Sequence, residues 1–298
     1  MKAVHSPTSL VASVIIVVKN DLGVRDTLAA LMPQAKACRA EVVVVDASQP
    51  AVLQTVREEF PQVRWEFYNQ GIKRFTIPEQ RNLGLKLAAG NYLVFLDASC
   101  IPVNGWLAAI IDTLDSGESV VCGPVLDTNP KNLVRYMPGR ETRSYIQECT
   151  TVSVGLRRTV VEAVKGFDER LAYGEDVDFF WRVSDAGFKL CSDPRVAVSH
   201  DWGETNEQFR RAFRYGKARA IIHKKHWRRR WKQLLITEPH VWVYPLYLLG
   251  LPIALIFPWY LLGLLIPMLK NRSFTLVAHH LVFAAGVLAG VVTPLEQR

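Results

Sequence analysis

The feature that most constrains this chain of 298 residues is the near absence of charge from its C-terminal fifth. Val241–Leu269 has 29 residues without a charged side chain, and Phe274–Leu295 has a further 22. About 20 apolar residues suffice to cross the hydrocarbon core of a bilayer as a helix. We therefore expect residues 241–298 to form a membrane tail with spans at about 241–269 and 274–295. Because the first stretch contains four prolines, a re-entrant hairpin is an alternative to a spanning helix there. A buried hairpin of a soluble protein is a less favoured alternative.

A strongly basic segment precedes this tail. Arg210 to Lys232 contains eleven basic residues and no acidic one, whereas only Lys270 and Arg272 separate the two apolar stretches. The positive-inside bias then predicts an inner-membrane protein with its N-terminal body in the cytoplasm. We predict that residues 208–240 form a basic amphipathic helix at the membrane surface. Binding of nucleic acid is disfavoured, because the first apolar stretch begins only nine residues after Lys232.

The N-terminal body, residues 1–207, alternates between two kinds of pattern. Short β-branched runs predict strands, and amphipathic stretches between them predict helices. Such alternation is typical of an α/β domain in which helices cover a parallel sheet. The predicted strands are Val11–Val18, Glu41–Asp46, Arg64–Tyr68 and Tyr92–Asp97, and the predicted helices are Asp21–Lys36, Ala51–Phe60 and Pro78–Ala89. Five scattered cysteines without a Cys-x-x-Cys pair favour reduced thiols and exclude a typical zinc site.

Polar residues follow three of the predicted strands, at the sheet edge where α/β proteins bind ligands. They are Lys19 and Asn20, then Asp46, then Asp97 with Ser99. Each has a structural alternative, since Asp46 could cap a turn and Asp97 could also belong to a turn. The chain has neither a P-loop nor a Gly-x-Gly-x-x-Gly motif, which disfavours a classical dinucleotide or P-loop site.

An acidic cluster and one histidine complete the candidate residues. Glu175, Asp176 and Asp178 stand at the start of a predicted helix, where acids favourably meet the helix dipole. Three carboxylates in four residues exceed the need of a cap, so one of them is a candidate proton acceptor. His200 follows a strand-like run and is a candidate metal ligand, although a lone histidine is more often structural.

In their order along about residues 11–215, these motifs resemble family 2 glycosyltransferases of the GT-A fold. VIIVVKND is similar to the opening strand of that family, and EVVVVDAS to its second strand. Gln80-Arg81-Asn82-Leu83-Gly84 before Tyr92–Asp97 is similar to the Arg-Asn-x-Gly helix that leads into an Asp-x-Asp strand. GFDERL, GEDVDFFWRV and AVSH are similar to the acceptor-side half.

The resemblance implies a nucleotide diphosphate sugar donor and a lipid-linked or saccharide acceptor. It assigns Asp176 as the catalytic base with Glu175 beside it. The residues that it implies for binding the nucleotide sugar are Lys19, Asn20, Asp46, Arg81, Asp97 and Ser99. A divalent metal, Mg²⁺ or Mn²⁺, would be held by Asp97 and His200. The implied reaction is inverting transfer in glycolipid or surface polysaccharide synthesis.

The chain departs from the Asp-x-Asp pattern at one position, because Ser99 replaces the second acid. A hydroxyl is a weaker ligand than a carboxylate for a hard divalent cation. A weakly metal-dependent enzyme, a metal-free site and a lost activity all remain open. The last of these defines the alternative function, a catalytically silent membrane scaffold or sugar-nucleotide-binding protein.

Overall fold

The computed structural model describes residues 10–68, 76–128, 141–203, 205–265, 268–269 and 273–294. The chain divides into two compact units; among the described residues, the first ends at Asp201 and the second begins at Trp202. Part of the loop at residues 127–147, where we expect donor pockets to differ, lies outside the described residues.

The first unit contains two sheets. The large sheet has the order β3-β2-β1-β4-β9-β6-β10-β8, and a small sheet has the order β5-β11-β7. The strands are β1 Ala12–Val18, β2 Ala40–Asp46, β3 Arg64–Phe67, β4 Tyr92–Leu96, β5 Ile101–Pro102, β6 Val120–Cys122, β7 Val125–Asp127, β8 Ser144–Ile146, β9 Ser153–Arg157, β10 Leu190–Ser192 and β11 Val198–His200.

Six helices accompany these strands in the part of the first unit that the structure describes. They are α1 Val24–Ala37, α2 Gln54–Glu59, α3 Ile77–Leu87, α4 Trp106–Asp115, α5 Arg158–Val164 and α6 Glu175–Asp185. Helix α3 begins with a capping box, in which Thr76 and Glu79 satisfy each other's free backbone donors. It packs closely on β1 at Gly84, where an added Cβ would lie only 2.4 Å from Cγ2 of Ile15.

The first half of the sheet confirms the predicted parallel arrangement. Strands β3, β2, β1 and β4 lie side by side and are all parallel, and each predicted strand or helix up to residue 96 is present within a few residues. The second half is mixed, because β9 runs antiparallel to both β4 and β6. The short apolar runs that form this half carry no signal of strand direction.

A cluster of aromatic rings joins the two halves beneath the sheet edge. The ring of Phe167 stacks on Phe179 of α6 at 4.4 Å between centroids and meets Phe95 of β4 edge-on at 5.4 Å. All three side chains are almost fully buried. The start of α6 is therefore fixed close to the end of β4, and this contact positions the candidate site.

The second unit is helical in its described part. It contains α7 Thr205–Ile236, α8 His240–Leu249, two 3-10 helices Leu251–Leu255 and Pro258–Leu264, and α9 Phe274–Val292. Helix α7 covers the segment predicted as a basic helix, and its backbone leaves helical geometry at His226. Its location at a membrane stays a prediction.

The apolar tail differs from the expected pair of spanning helices. Among the described residues, only Phe274–Val292 is a helix long and apolar enough to cross a membrane. The first apolar stretch is divided into a ten-residue helix and two short 3-10 helices. Pro252 and Pro258 each stand at the start of a 3-10 helix, because proline lacks the N–H that a continuing helix needs.

Candidate active site

The ends of β1 and β2 are joined by polar contacts at the carboxyl edge of the sheet. Val18 and Asp46 are register partners, so the residues after them emerge side by side. The backbone N–H of Asn20 donates to Oγ of Ser48 at 2.7 Å, and the N–H of Gln49 donates to Oδ1 of Asn20 at 2.9 Å. Lys19 is exposed beside them. The structure thus brings these strand ends to one edge, as the sequence predicts.

Asp46 is fully buried, and both of its carboxylate oxygens have partners within the chain. Oδ1 accepts from the N–H of Ser48 at 2.7 Å, and Oδ2 accepts from Nη1 of Arg57 at 3.0 Å. The guanidinium of Arg57 also lies over the ring of Phe67, 4.7 Å from its centroid. This is the turn contact that the sequence left open as an alternative. A contact of Asp46 with a nucleotide stays a prediction.

The segment from Asp97 to Ser99 follows β4 and meets both α1 and β11. Oγ1 of Thr27 donates to the carbonyl of Ala98 at 2.6 Å, and Nδ1 of His200 lies 3.2 Å from the carbonyl of Ser99. The two predicted metal ligands, Asp97 and His200, therefore belong to neighbouring segments. The described residues contain no group of three or more His, Cys, Asp and Glu side chains placed to hold a metal.

Arg81 of α3 lies at the centre of the site. Its side chain is 6% exposed, and its guanidinium forms an ion pair with Glu175, which is equally buried. Nη2 of Arg81 also lies 3.6 Å from Oδ1 of Asp97, whose side chain is 38% exposed. The guanidinium packs 5.6 Å from the ring centroid of Phe167. One arginine thus connects the end of β4 to the start of α6.

The three carboxylates in the first turn of α6 have different partners. Glu175 pairs with Arg81, whereas Asp178 pairs with Arg182 at 2.9 Å, and Arg182 also donates to the carbonyls of Val164 and Gly166. Asp178 is thereby a structural residue. Asp176 accepts a hydrogen bond from the N–H of Val177 and forms no ion pair within the described residues. Its carboxylate is the one of the three that remains available for chemistry.

Burial and neighbouring charges raise the pKa values of both adjacent acids. Loss of hydration raises the pKa of Glu175, against the opposing effect of Arg81 and with a further rise from Asp176. Loss of hydration likewise raises the pKa of Asp176. Arg81 opposes this rise, whereas the charges of Glu148 and Asp97 add to it. The same carboxylates raise the pKa of Arg81, despite its burial. A carboxylate with a raised pKa is a stronger base once it has lost its proton.

Two contributors to this site were not predicted from the sequence. Glu148 accepts a hydrogen bond from Nε1 of Trp181 at 3.3 Å and adds negative charge near Asp176. Asn82 exchanges hydrogen bonds with the backbone N–H and carbonyl of Phe167, at 2.9 and 3.0 Å. Asn82 could have been found, because it stands in the quoted Arg-Asn-x-Gly motif. Glu148 stands in a loop without a recognisable pattern.

The model of glycosyl transferase family 2 matches residues 13–164, which is half of the chain. The chain belongs to glycosyl transferase family 2. The matched range includes the strand ends and Arg81, whereas Glu175, Asp176 and His200 lie beyond it. The family match therefore includes the residues at the carboxyl edge of the sheet. The contacts of Arg81 with Asp97 and Glu175 connect α6 to that edge.

Similar proteins include several glycosyltransferases. The glycosyltransferase AglE of Haloferax volcanii is 32% identical over 151 residues, which are 48% of this chain and 50% of that protein. The pre-mycofactocin glycosyltransferase of Mycobacterium tuberculosis is 28% identical over 165 residues, 49% of this chain and 34% of that protein. The family 2 chain thus spans half or less of the length of these curated relatives.

Solved structures show the same fold. The mannosyltransferase PcManGT of Pyrobaculum calidifontis, solved with GDP-Man and Mn²⁺, superposes with a TM-score of 0.67 at 20% identity. The superposition covers 95% of this chain and 88% of that one. The likeness establishes a GT-A-like α/β fold for the family 2 chain.

Proposed function

We propose that this protein is an inverting glycosyltransferase that uses a nucleotide diphosphate sugar and a lipid-linked or membrane-proximal acceptor. One observation carries the proposal: Arg81 brings Asp97, at the end of β4, together with Glu175, next to Asp176 at the start of α6. Transfer requires a donor site and a proton acceptor close to each other, and this cluster provides candidates for both.

The base in this proposal is Asp176. A hydroxyl acceptor must lose its proton as it attacks the anomeric carbon, and a carboxylate with a raised pKa can take that proton. A single displacement inverts the configuration at that carbon. Glu175 and Arg81 hold the first turn of α6 against β4, so they position the base.

The donor would lie along the carboxyl edge of β2, β1 and β4. We assign Lys19 and Asn20 to the nucleotide, and Asp97 with Ser99 to the ribose or a bound cation. Asp46 would contact the nucleotide base only by exchanging its bond with Arg57, because both of its oxygens have partners within the chain. Arg81 is too enclosed by carboxylates to meet a nucleotide first, so its predicted binding role becomes one of positioning.

A divalent cation such as Mg²⁺ or Mn²⁺ fits this edge only in part. Asp97 offers an accessible carboxylate oxygen, and the imidazole of His200 lies against the same loop. With Ser99 as a neutral neighbour, oxygens of the diphosphate would have to complete the coordination. Such a cation supplies charge stabilisation for the leaving diphosphate, so we expect a weak metal dependence.

We place the protein at the inner membrane, with its first unit in the cytoplasm and residues 241–298 as the attachment. The apolar helix α9 and the basic residues of α7 support this placement. A membrane-attached transferase has ready access to lipid-linked acceptors, which is why we infer a role in glycolipid or surface polysaccharide synthesis. In this proposal the basic segment binds anionic lipid and not nucleic acid.

The test is Asp176→Asn, with exposed Asp26→Asn on α1 as a matched control. We expect the Asp176 variant to lose about 10²–10⁴ in transfer rate and the control to lose nothing. Donor binding, measured as a donor-dependent rise in melting temperature, should persist in both. Normal turnover by the Asp176 variant would exclude it as the base. A mild loss would point to a phosphate acceptor rather than a sugar hydroxyl, because a phosphate is already anionic and needs no base.

The alternative, a silent sugar-nucleotide-binding scaffold, is favoured by Ser99 alone. The two functions differ in a simple assay, because only the enzyme hydrolyses or transfers the donor. Purified protein in detergent, screened with UDP-, GDP- and dTDP-sugars in the presence and absence of Mn²⁺, decides between them. Binding without turnover under any of these conditions would support the scaffold.

A further inference from the structure

The first apolar stretch folds back on itself instead of continuing as one helix. Helix α8 has ten residues and is about 15 Å long, half of the roughly 30 Å hydrocarbon thickness. After it, Tyr260 returns to stack on Tyr247 at 4.9 Å between ring centroids, and its hydroxyl donates to the carbonyl of Tyr247 at 2.8 Å. Residues 247–260 therefore form a hairpin, while the first half of α8 packs against α9 through His240 and Tyr244.

Helix α9 is long enough to span a bilayer, but α7 lies alongside it. The rings of Phe209 and His279 are in contact near the start of both helices. Nζ of Lys224 donates to the carbonyls of Val291 and Thr293 at the end of α9. The two helices therefore run in the same direction over about fifteen residues.

Glycines allow α7 and α9 to pack closely. A Cβ at Gly216 of α7 would lie 1.9 Å from the carbonyl oxygen of Phe283. On α9, a Cβ at Gly286 or Gly290 would lie within 2.4 Å of a backbone oxygen of α7. The two backbones are consequently in direct contact, so α9 cannot enter hydrocarbon without the adjoining part of α7.

That part of α7 is cationic. Arg210, Arg214 and Lys224 are exposed, and Lys217 is partly exposed, all within the stretch that accompanies α9. Basic side chains at the centre of a bilayer are costly and rarely face lipid. A crossing α9 would bring Arg214 and Lys217 toward that depth, because Phe213 and Lys217 contact Gly286 and Gly290, whereas Arg210 and Lys224 would lie nearer the two ends of α9. The same cations at the level of the headgroups would instead meet lipid phosphates.

The exposed apolar residues of this unit are concentrated in and after α8. Leu255 and Ile256, at the turn of the hairpin, are 89% and 90% exposed, and Trp259 is 67% exposed. Patches of this kind on water-soluble surfaces mark sites of contact with a partner or a membrane. Exposed Trp227 and Trp231, next to the arginines of α7, suit the boundary between headgroups and acyl chains.

From these observations we infer that residues 202–294 embed in one leaflet of an anionic bilayer without crossing it. The hairpin of residues 247–260 enters the acyl region, and the cations of α7 bind headgroup phosphates. The inference refines the membrane attachment in the proposed function and rests on that part of it alone. Both ends of α9 then stay on the side of the catalytic unit.

Membrane topology in cells tests the inference with the full chain. Single cysteines replace Thr55 of α2, Phe274 or Val292, all of which are exposed, in a Cys38→Ser background. The other four cysteines are buried, and the background protein measures their residual labelling. Right-side-out and inverted inner-membrane vesicles from an expressing bacterium are treated with a membrane-impermeant maleimide. Thr55→Cys reports the side of the catalytic unit.

We expect Thr55→Cys, Phe274→Cys and Val292→Cys to react only in inverted vesicles. Labelling of Val292→Cys in right-side-out vesicles would show one span and overturn the inference. Labelling of Phe274→Cys in right-side-out vesicles would show two spans and would also overturn the inference. Recovery of the protein in the soluble fraction would refute membrane embedding altogether. None of these readings depends on turnover, so failure of the proposed transfer reaction would be recognised separately in the donor assays.

Discussion

Removal of the Arg81 guanidinium is the sharpest test of the candidate site. In Arg81→Gln, Glu175 loses its buried partner, since both side chains are 6% exposed. Breaking a buried pair by removing one partner costs about 3–5 kcal/mol, because the other charge is left without compensation. Asp97 adds little to this cost, because it is 38% exposed and its charge is screened by solvent.

Thermal unfolding followed by intrinsic fluorescence measures the loss. For a unit of this size, about 1 kcal/mol corresponds to roughly 2–4 °C, so Arg81→Gln should lower the melting temperature by about 6–20 °C. The matched control is Arg25→Gln, which removes the same charge from an exposed pair with Glu59. The control should leave the melting temperature nearly unchanged, because solvent screens an exposed ion pair.

The loss should also depend on pH with a defined sign. Arg81 lowers the pKa values of Glu175 and Asp176, so its removal raises both further above their unfolded values. An acid with a raised folded pKa favours folding while protonated and opposes it once ionised. The deficit of Arg81→Gln relative to wild type should therefore shrink toward pH 4.5 and be largest above neutrality. Equal losses for Arg81→Gln and Arg25→Gln, at any pH, would refute the role given to the buried arginine.

Two further predictions address the base and the basic segment. Glu148→Gln should move the acid limb of the pH–rate profile to lower pH, because Glu148 raises the pKa of Asp176 and a base loses activity as pH falls through its pKa; exposed Glu162→Gln is the control, and identical profiles would separate Glu148 from the base. Replacing Arg228, Arg229 and Arg230 by Gln should weaken binding of the full chain to vesicles of phosphatidylcholine with phosphatidylglycerol, as measured by co-sedimentation. The loss of binding to vesicles of phosphatidylcholine alone should be smaller. Unchanged binding would remove these arginines from the membrane contact.

The sequence predicted the parallel half of the sheet because buried parallel strands have a strong local signature. Runs such as Val14–Val18 and Val42–Val45 are apolar on both faces, and helical periodicity separates them. Strands such as β6, β8 and β10 have only three residues each. Their pairing depends on long-range contacts that no local pattern records, so the mixed half could not be foreseen.

The candidate site, too, was predicted in part, and the rest of it depends on long-range contacts. Which polar residues reach the carboxyl edge follows from strand order, and the predicted convergence of Asp97 with Glu175 and Asp176 depends on Arg81, an already suspected residue. Its partner could not be predicted, because the pairing of Arg81 with Glu175 joins residues 94 positions apart. The division of the first apolar stretch was indicated by its prolines, but the return of Tyr260 to Tyr247 was not.

The charge balance of the site favours catalysis over a scaffold. Asp178 and Arg182 form a closed pair that also satisfies two backbone carbonyls, which is what a structural ion pair requires. Around Arg81, in contrast, Asp97, Glu175 and Asp176 place three carboxylates against one guanidinium. Well-packed apolar residues commonly serve folding as well as buried ions do, so stability alone does not explain this excess of negative charge. In the free site this crowding raises the pKa values of Glu175 and Asp176. In the proposed reaction, a cation that arrives with the donor and a proton taken from the acceptor would both relieve it.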